Sequence, residues 1–235
     1  MLSLAAATIG CGGKKHTALN VPPAPSLPPA EEHAPEERAP LESVPGIHVD
    51  PNARVLWSEV GYASWYGPNY NRKKAANGET YDQDEMTAAH NTLPLNSIVR
   101  VVNLDTNRST VVRITDRGPF VADRIIDLSV AAAKAVNVYR PGTARVRLDV
   151  LEAPRPIDTG GRWCVQIGAL PSQAEALRLK NHLLSSYAGA QVLQFKGPTG
   201  YWVRIRVAKD DKAKTREVYE STRLNEGGVF LVRLD

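Results

Sequence analysis

Nine prolines fall between residues 22 and 51: Pro22, Pro23, Pro25, Pro28, Pro29, Pro35, Pro40, Pro45 and Pro51. They alternate with Glu31, Glu32, Glu36, Glu37 and Glu42. Such a stretch buries too little apolar surface to offset the entropy of ordering it, so residues 11–56 are expected to form a disordered, extended tether. About forty residues of partly polyproline chain reach on the order of 100 Å at ~3.1 Å per residue. The tether confines any packed core to the remainder of the 235 residues, enough for one large domain or two small ones.

That remainder reads as short strands with few helices. In the first folded unit, residues 57–154, Val60 to Gly67 reads as a strand entering a loop, and Ile98 to Asn103 as a second. Asp105-Thr106-Asn107-Arg108 turns into a third, Ser109 to Thr115, where β-branched residues dominate. Arg124 to Leu128 is short and apolar, and Ser129 to Val136 reads as a helix capped by Asp127 or Ser129, with Asp127 assigned to that capping role. Thr143 to Leu151 alternates once more. Many short strands around one short helix predict a small closed barrel.

Asp116 ends the third strand and precedes the turn Arg117-Gly118-Pro119. A carboxylate there is held by a rigid scaffold while facing a cleft. Glu79, after Asn77-Gly78, and His90, in Thr87-Ala88-Ala89-His90, lie in turn-rich stretches and could complete a site with it. Each also has a plainer reading: a turn-forming aspartate, a solvent-facing glutamate and a structural histidine.

Residues 155–160 form a linker, and residues 161–235 read as βαββαβ. The strands are Trp163 to Leu170, Gln191 to Lys196, Tyr201 to Ala208 and Gly228 to Leu234, with helices over Ser172 to Ser185 and Asp210 to Leu224. That order makes a four-stranded antiparallel sheet with both helices on one face. Strand alternation puts Trp202, Arg204 and Arg206 on the open face with Gln166, and Val203, Ile205 and Val207 beneath the helices. By the same alternation Cys164 is a free, partly covered thiol. The whole chain carries a net charge of +4, and the excess sits here: twelve Lys/Arg against seven Asp/Glu from residue 162 onward. This suits an acidic partner or a solvated basic surface. Two cysteines, Cys11 and Cys164, give neither a disulfide framework nor a zinc pattern. No metal or cofactor is expected, and the aromatic signature of an RNA-binding sheet is missing.

Several motifs together resemble a known family. They are Ala63-Ser64-Trp65-Tyr66-Gly67, Ala76-Asn77-Gly78-Glu79, Thr87-Ala88-Ala89-His90, Leu93-Pro94, Asp116-Arg117-Gly118-Pro119-Phe120 and Arg124-Ile125-Ile126-Asp127-Leu128-Ser129. In this order they resemble the double-psi β-barrel of the rare lipoprotein A family, itself similar to expansins, family-45 endoglucanases and a membrane-bound lytic transglycosylase. Val165 to Leu170 with Trp202 to Val207 resembles a SPOR domain. The implied fold is all-β plus α+β: a six-stranded double-psi barrel followed by a βαββαβ SPOR domain. Departures from the family pattern are Arg72 and Asp123, where glycine is common, Ala75 in place of threonine, and Asn96-Ser97 in place of Gly-Thr.

The resemblance implies an endolytic lytic transglycosylase that cleaves peptidoglycan glycan strands denuded of stem peptides and leaves 1,6-anhydromuramyl ends. Asp116 matches the catalytic aspartate. Glu79 is expected to raise its pKa or position substrate, and His90 to hydrogen-bond a carboxylate or sugar hydroxyl. Gln166, Trp202 and Arg204 are the implied glycan-binding residues, recruiting the protein to septal wall and possible division-site partners. The alternative is a non-catalytic glycan-binding scaffold with an expansin-like barrel. Residues 1–10 read as a truncated lipoprotein signal peptide ending at Gly10-Cys11, with Thr8 a departure from the usual aliphatic residue. Lipidation at Cys11 would tether a periplasm-facing protein to a membrane, the outer membrane being expected.

Overall fold

The computed structural model describes Ile47 and residues 53–67, 70–197, 199–222 and 227–235. Cys11, the signal-like residues 1–10 and most of the tether lie outside the described residues. Ile47, Ala53 and Val55 pack against Val111 and Leu151, so packed chain reaches back before the expected boundary at residue 57.

Six strands close the first barrel: β1 Trp57–Trp65, β2 Thr87–His90, β3 Ile98–Asn103, β4 Ser109–Asp116, β5 Arg124–Leu128 and β6 Ala144–Glu152. Their order is β1-β5-β2-β4-β3-β6. Two parallel pairs, β1 with β5 and β2 with β4, interrupt an otherwise antiparallel ring. Closure buries every edge, which lets strands this short persist. Val99, Val101, Val112, Ile114, Ile126, Leu128, Val146, Leu148 and Val150 fill the interior. Helix α1, Val130–Ala135, is capped by Ser129, whose hydroxyl accepts from the Ala132 N–H. Asp127 does not cap it, contrary to the sequence reading.

β2 is the strand that sequence reasoning missed. Thr87-Ala88-Ala89-His90 is buried along its whole length between β4 and β5. It is too short and too free of large β-branched residues to show an alternating pattern. His90 therefore ends a buried strand instead of sitting in a turn.

The second unit holds β7 Trp163–Leu170, α2 Gln173–Ser186, β8 Gln191–Gly197, β9 Gly200–Arg206, α3 Lys212–Ser221 and β10 Gly228–Arg233. A short 3-10 turn, Ala208–Asp210, precedes α3. The sheet runs β10-β7-β9-β8, antiparallel throughout. Val165, Ile167, Val203 and Ile205 pack under Ala176 and Leu183 of α2 and Val218 of α3, on the face that strand alternation assigns to the helices. Cys164 is fully buried, not partly covered.

The opposite face of the sheet is not open. Phe120, just after the Asp116 turn, lies 5.5 Å from the rings of both Trp202 and Phe230. The C-terminal residues tie the units together: Arg117 Nη2 donates to the Asp235 carbonyl at 2.8 Å, and the Arg233 N–H donates to the Asn91 carbonyl at 2.9 Å.

Candidate active site

Asp116 is fixed by three donors. Its Oδ1 accepts the backbone N–H of Ala76 at 2.9 Å and of Arg117 at 2.8 Å, and its Oδ2 accepts the Tyr66 hydroxyl at 3.1 Å. Burial raises the Asp116 carboxyl above its ordinary range, outweighing the opposite pull of these hydrogen bonds. Tyr66, itself buried and close to this carboxylate, is pushed well above a normal phenol and so stays a neutral donor.

A second carboxylate belongs to the site. Asp127 lines the same cleft as Asp116, accepts the Ser64 hydroxyl at 2.6 Å and pairs with Arg124 at 3.3 Å. Burial raises it, and the negative charge of Asp116 adds to that rise. Sequence reasoning assigned this residue to a helix cap. The overlooked signal is its place on strand β5, where burial alternates over Ile125 to Leu128 and leaves Asp127 beside the cleft.

Glu79 and His90 are not gathered around Asp116. Glu79 forms a two-pronged pair with Arg113, at 3.0 and 2.8 Å, its side chain half exposed. That guanidinium holds the Glu79 carboxyl below its ordinary value. The expected like-charge lift of Asp116 by Glu79 is replaced by burial as the cause. The Glu79 main-chain N–H donates to Asn77 Oδ1 and closes the turn next to the Ala76 N–H that anchors Asp116, while its carboxylate is held by Arg113 of β4. His90 is buried, with Nδ1 accepting the N–H of Thr92 and of Leu93. The ring proton is thus on Nε2, which donates to Glu59 Oε2 at 3.1 Å. The folded loop presents the carbonyls of His90 and Leu93 to Arg117 Nη1, so His90 orients the arginine that follows Asp116.

The cleft has a volume of about 770 Å³, within the range of small-molecule sites. Trp65, Tyr66, Tyr70, Asp116, Arg117 and Asp127 line the barrel side, and Gln166, Phe195, Trp202 and Arg204 line the other. Gln166 and Trp202 are each 4% exposed, and Gln166 Oε1 accepts two N–H groups of Arg204, at 3.2 and 2.7 Å. The three expected binding residues do share a face, but that face looks into the cleft. Among the described residues no group of three or more histidine, cysteine or acidic side chains could hold a metal ion.

Residues 58–148 match the family described as lytic transglycolase, and residues 159–233 match the SPOR domain. The endolytic peptidoglycan transglycosylase RlpA of Helicobacter pylori is 62% identical over 52% of this chain and 48% of its own length. The protein of that name from Pseudomonas aeruginosa is 51% identical over 50% of this chain and 34% of its own. For Vibrio cholerae the figures are 52% identity over 43% and 38%. The chain thus spans half or less of the length of these curated relatives. Fold, site and comparisons define a two-domain protein, a double-psi barrel of the lytic transglycolase type carrying a SPOR domain. Through these two segments, in this order, the chain is similar to the rare lipoprotein A proteins of these bacteria.

Proposed function

We propose that this protein is an endolytic peptidoglycan lytic transglycosylase acting on glycan strands denuded of stem peptides. The observation that carries this reading is Asp116: a carboxyl raised by burial, anchored through Oδ1 and set in the wall of a cleft with a second carboxylate. The named activity of the relatives supports it.

Two backbone donors occupy Oδ1, so the acid proton resides on Oδ2, the oxygen beside Tyr66. Protonated Asp116 gives that proton to the glycosidic oxygen as its bond to C1 of the muramic acid breaks. The electron pair leaves with the departing sugar, and the Asp127 carboxyl, on the same wall of the cleft, faces the positive charge that develops on the ring. Asp116, now a carboxylate, takes the proton of the C6 hydroxyl as that oxygen closes on C1. The product is a 1,6-anhydro ring, and the enzyme regains its starting protonation. No water is consumed, and one carboxyl serves as acid and then base. His90 acts on this step from behind by holding Arg117 in place, and Glu79 by pairing with Arg113 of β4, the strand that ends at Asp116.

Gln166, Trp202 and Arg204 belong to the glycan-binding surface, and the SPOR domain supports recruitment to septal wall, with division-site proteins as further partners. Lipidation at Cys11 would hold the protein at a membrane facing the periplasm. Among the described residues no helix is long and apolar enough to cross a membrane. Release of Cys11→Ala into the soluble fraction is the expected result, and unchanged membrane retention would contradict the anchor. For the activity, digestion of purified denuded strands should yield 1,6-anhydromuramyl ends detectable by mass spectrometry. Reducing muramic acid ends alone would point to hydrolysis instead.

A further inference from the structure

A SPOR sheet that docks on glycan independently needs a free face, and here that face is taken. Trp202 sits down on Gly168 and Gly197, where an added Cβ would come within 2.7 and 2.6 Å of the indole. Its remaining edge meets Phe120 of the barrel, with Phe230 at 6.4 Å. The docking is locked by the C-terminus: Leu95 N–H and Arg117 Nη2 both donate to the Asp235 carbonyl, at 3.2 and 2.8 Å.

A lid that blocked the site would fill it. Instead a cavity of about 770 Å³ stays between the walls, with Asp116 and Asp127 on one side and Phe195 and Arg204 on the other. Phe195 is 37% exposed, the Arg204 guanidinium lies 5.6 Å from its ring centre, and both belong to the lining. Aromatic faces on opposed walls suit sugar rings, and guanidinium groups suit their hydroxyls. Arg117 Nε and Arg124 Nε, from two further lining residues, are buried donors with no protein acceptor.

We propose that the two domains share a single glycan cleft, so that the strand held by the SPOR sheet and the strand presented to Asp116 are one and the same. Phe195 and Arg204 then bind substrate at the cleavage site and do not form a separate docking site. This rests on the peptidoglycan reading above and names where that substrate sits.

The test needs no cleavage. Full-length 15N-labelled Asp116→Asn protein is titrated with oligosaccharides from denuded peptidoglycan strands. The amides of Gly118 and Phe120 on the barrel, and of Phe195 and Arg204 on the sheet, should shift together along one binding curve. Adding Phe195→Ala should weaken both sets by about tenfold, the usual worth of one stacking face, and Phe195→Tyr should restore both. An unchanged thermal melt for each variant separates lost binding from lost fold. Shifts confined to one domain, two curves with different midpoints, no shift on either wall, or a Phe195→Ala effect on the sheet alone would overturn the shared cleft. A wild type that binds in this manner but makes no anhydro product would defeat only the enzymatic reading.

Discussion

Asp116 and Asp127 flank one residue: Ala89 of β2 is the register partner of Asp116 on β4 and of Asp127 on β5. Two strand spacings put their backbones roughly 10 Å apart across the small alanine. The barrel order, with β2 between a parallel and an antiparallel neighbour, is what brings two carboxylates eleven positions apart in sequence onto one wall.

Removing one charge should therefore move the other. In Asp116→Asn the Asp127 carboxyl should titrate lower than in the wild type, because the Asp116 charge is one cause of its rise. Carboxyl NMR titration reads this directly. An unmoved Asp127 would mean the two do not sense each other.

The same shifts set a stability profile. The folded state holds protons on Asp116 and Asp127 at pH values where the unfolded chain has lost them. Their contribution thus weakens as pH rises from the unfolded carboxylate pKa through the raised folded values. Asp116→Asn should flatten that decline in denaturant unfolding measured across the window. An equally steep decline would argue against a raised Asp116.

Glu79→Gln should lower the rate by a few-fold while leaving the pH profile in place, since the amide loses the ion pair to Arg113 on β4, the strand that ends at Asp116, while burial sets the Asp116 pKa. Its exposed pair with Arg113 is worth about 0.5 kcal/mol or less, so the thermal melt should barely move. A shifted acidic limb would restore the direct electrostatic role.

Much of this was legible in sequence. The Asp116 turn, the helix-side Val203 and Ile205 of β9 and the order of the second domain all follow from period and turn chemistry. The departures Arg72, Asn96 and Asp123, seen where glycine is common, all adopt positive φ, at 65°, 68° and 66°. What stayed hidden depended on packing between distant segments. β2 carries no alternation, Asp127 resembled a cap, and the cover over Trp202 comes from Phe120, more than eighty residues earlier.

Those positive φ values make a prediction of their own. Arg72→Gly should stabilise the protein by about 0.5–1 kcal/mol, the relief of left-handed strain less the added freedom of the unfolded chain. Equilibrium urea unfolding measures it, and a loss of stability would contradict the assignment.

Trp202→Ala should act on fold as well as on binding. The indole is buried between two glycines and two phenylalanines, and such truncations cost about 3–5 kcal/mol. Calorimetry should show a lowered melting temperature; an unchanged melt would mean the domains do not dock through it.

The central claim is that Asp116 is the acid and base of a lytic cleavage, and one measurement reaches it most directly: mass spectrometry of products from denuded glycan strands, wild type beside Asp116→Asn. The wild type should release 1,6-anhydromuramyl ends, and the variant, folded and still binding, should fall by about 10²–10⁴-fold, the typical worth of a general acid. Anhydro ends at the wild-type rate from Asp116→Asn would remove Asp116 from that role, and none from either protein would leave a glycan-binding scaffold.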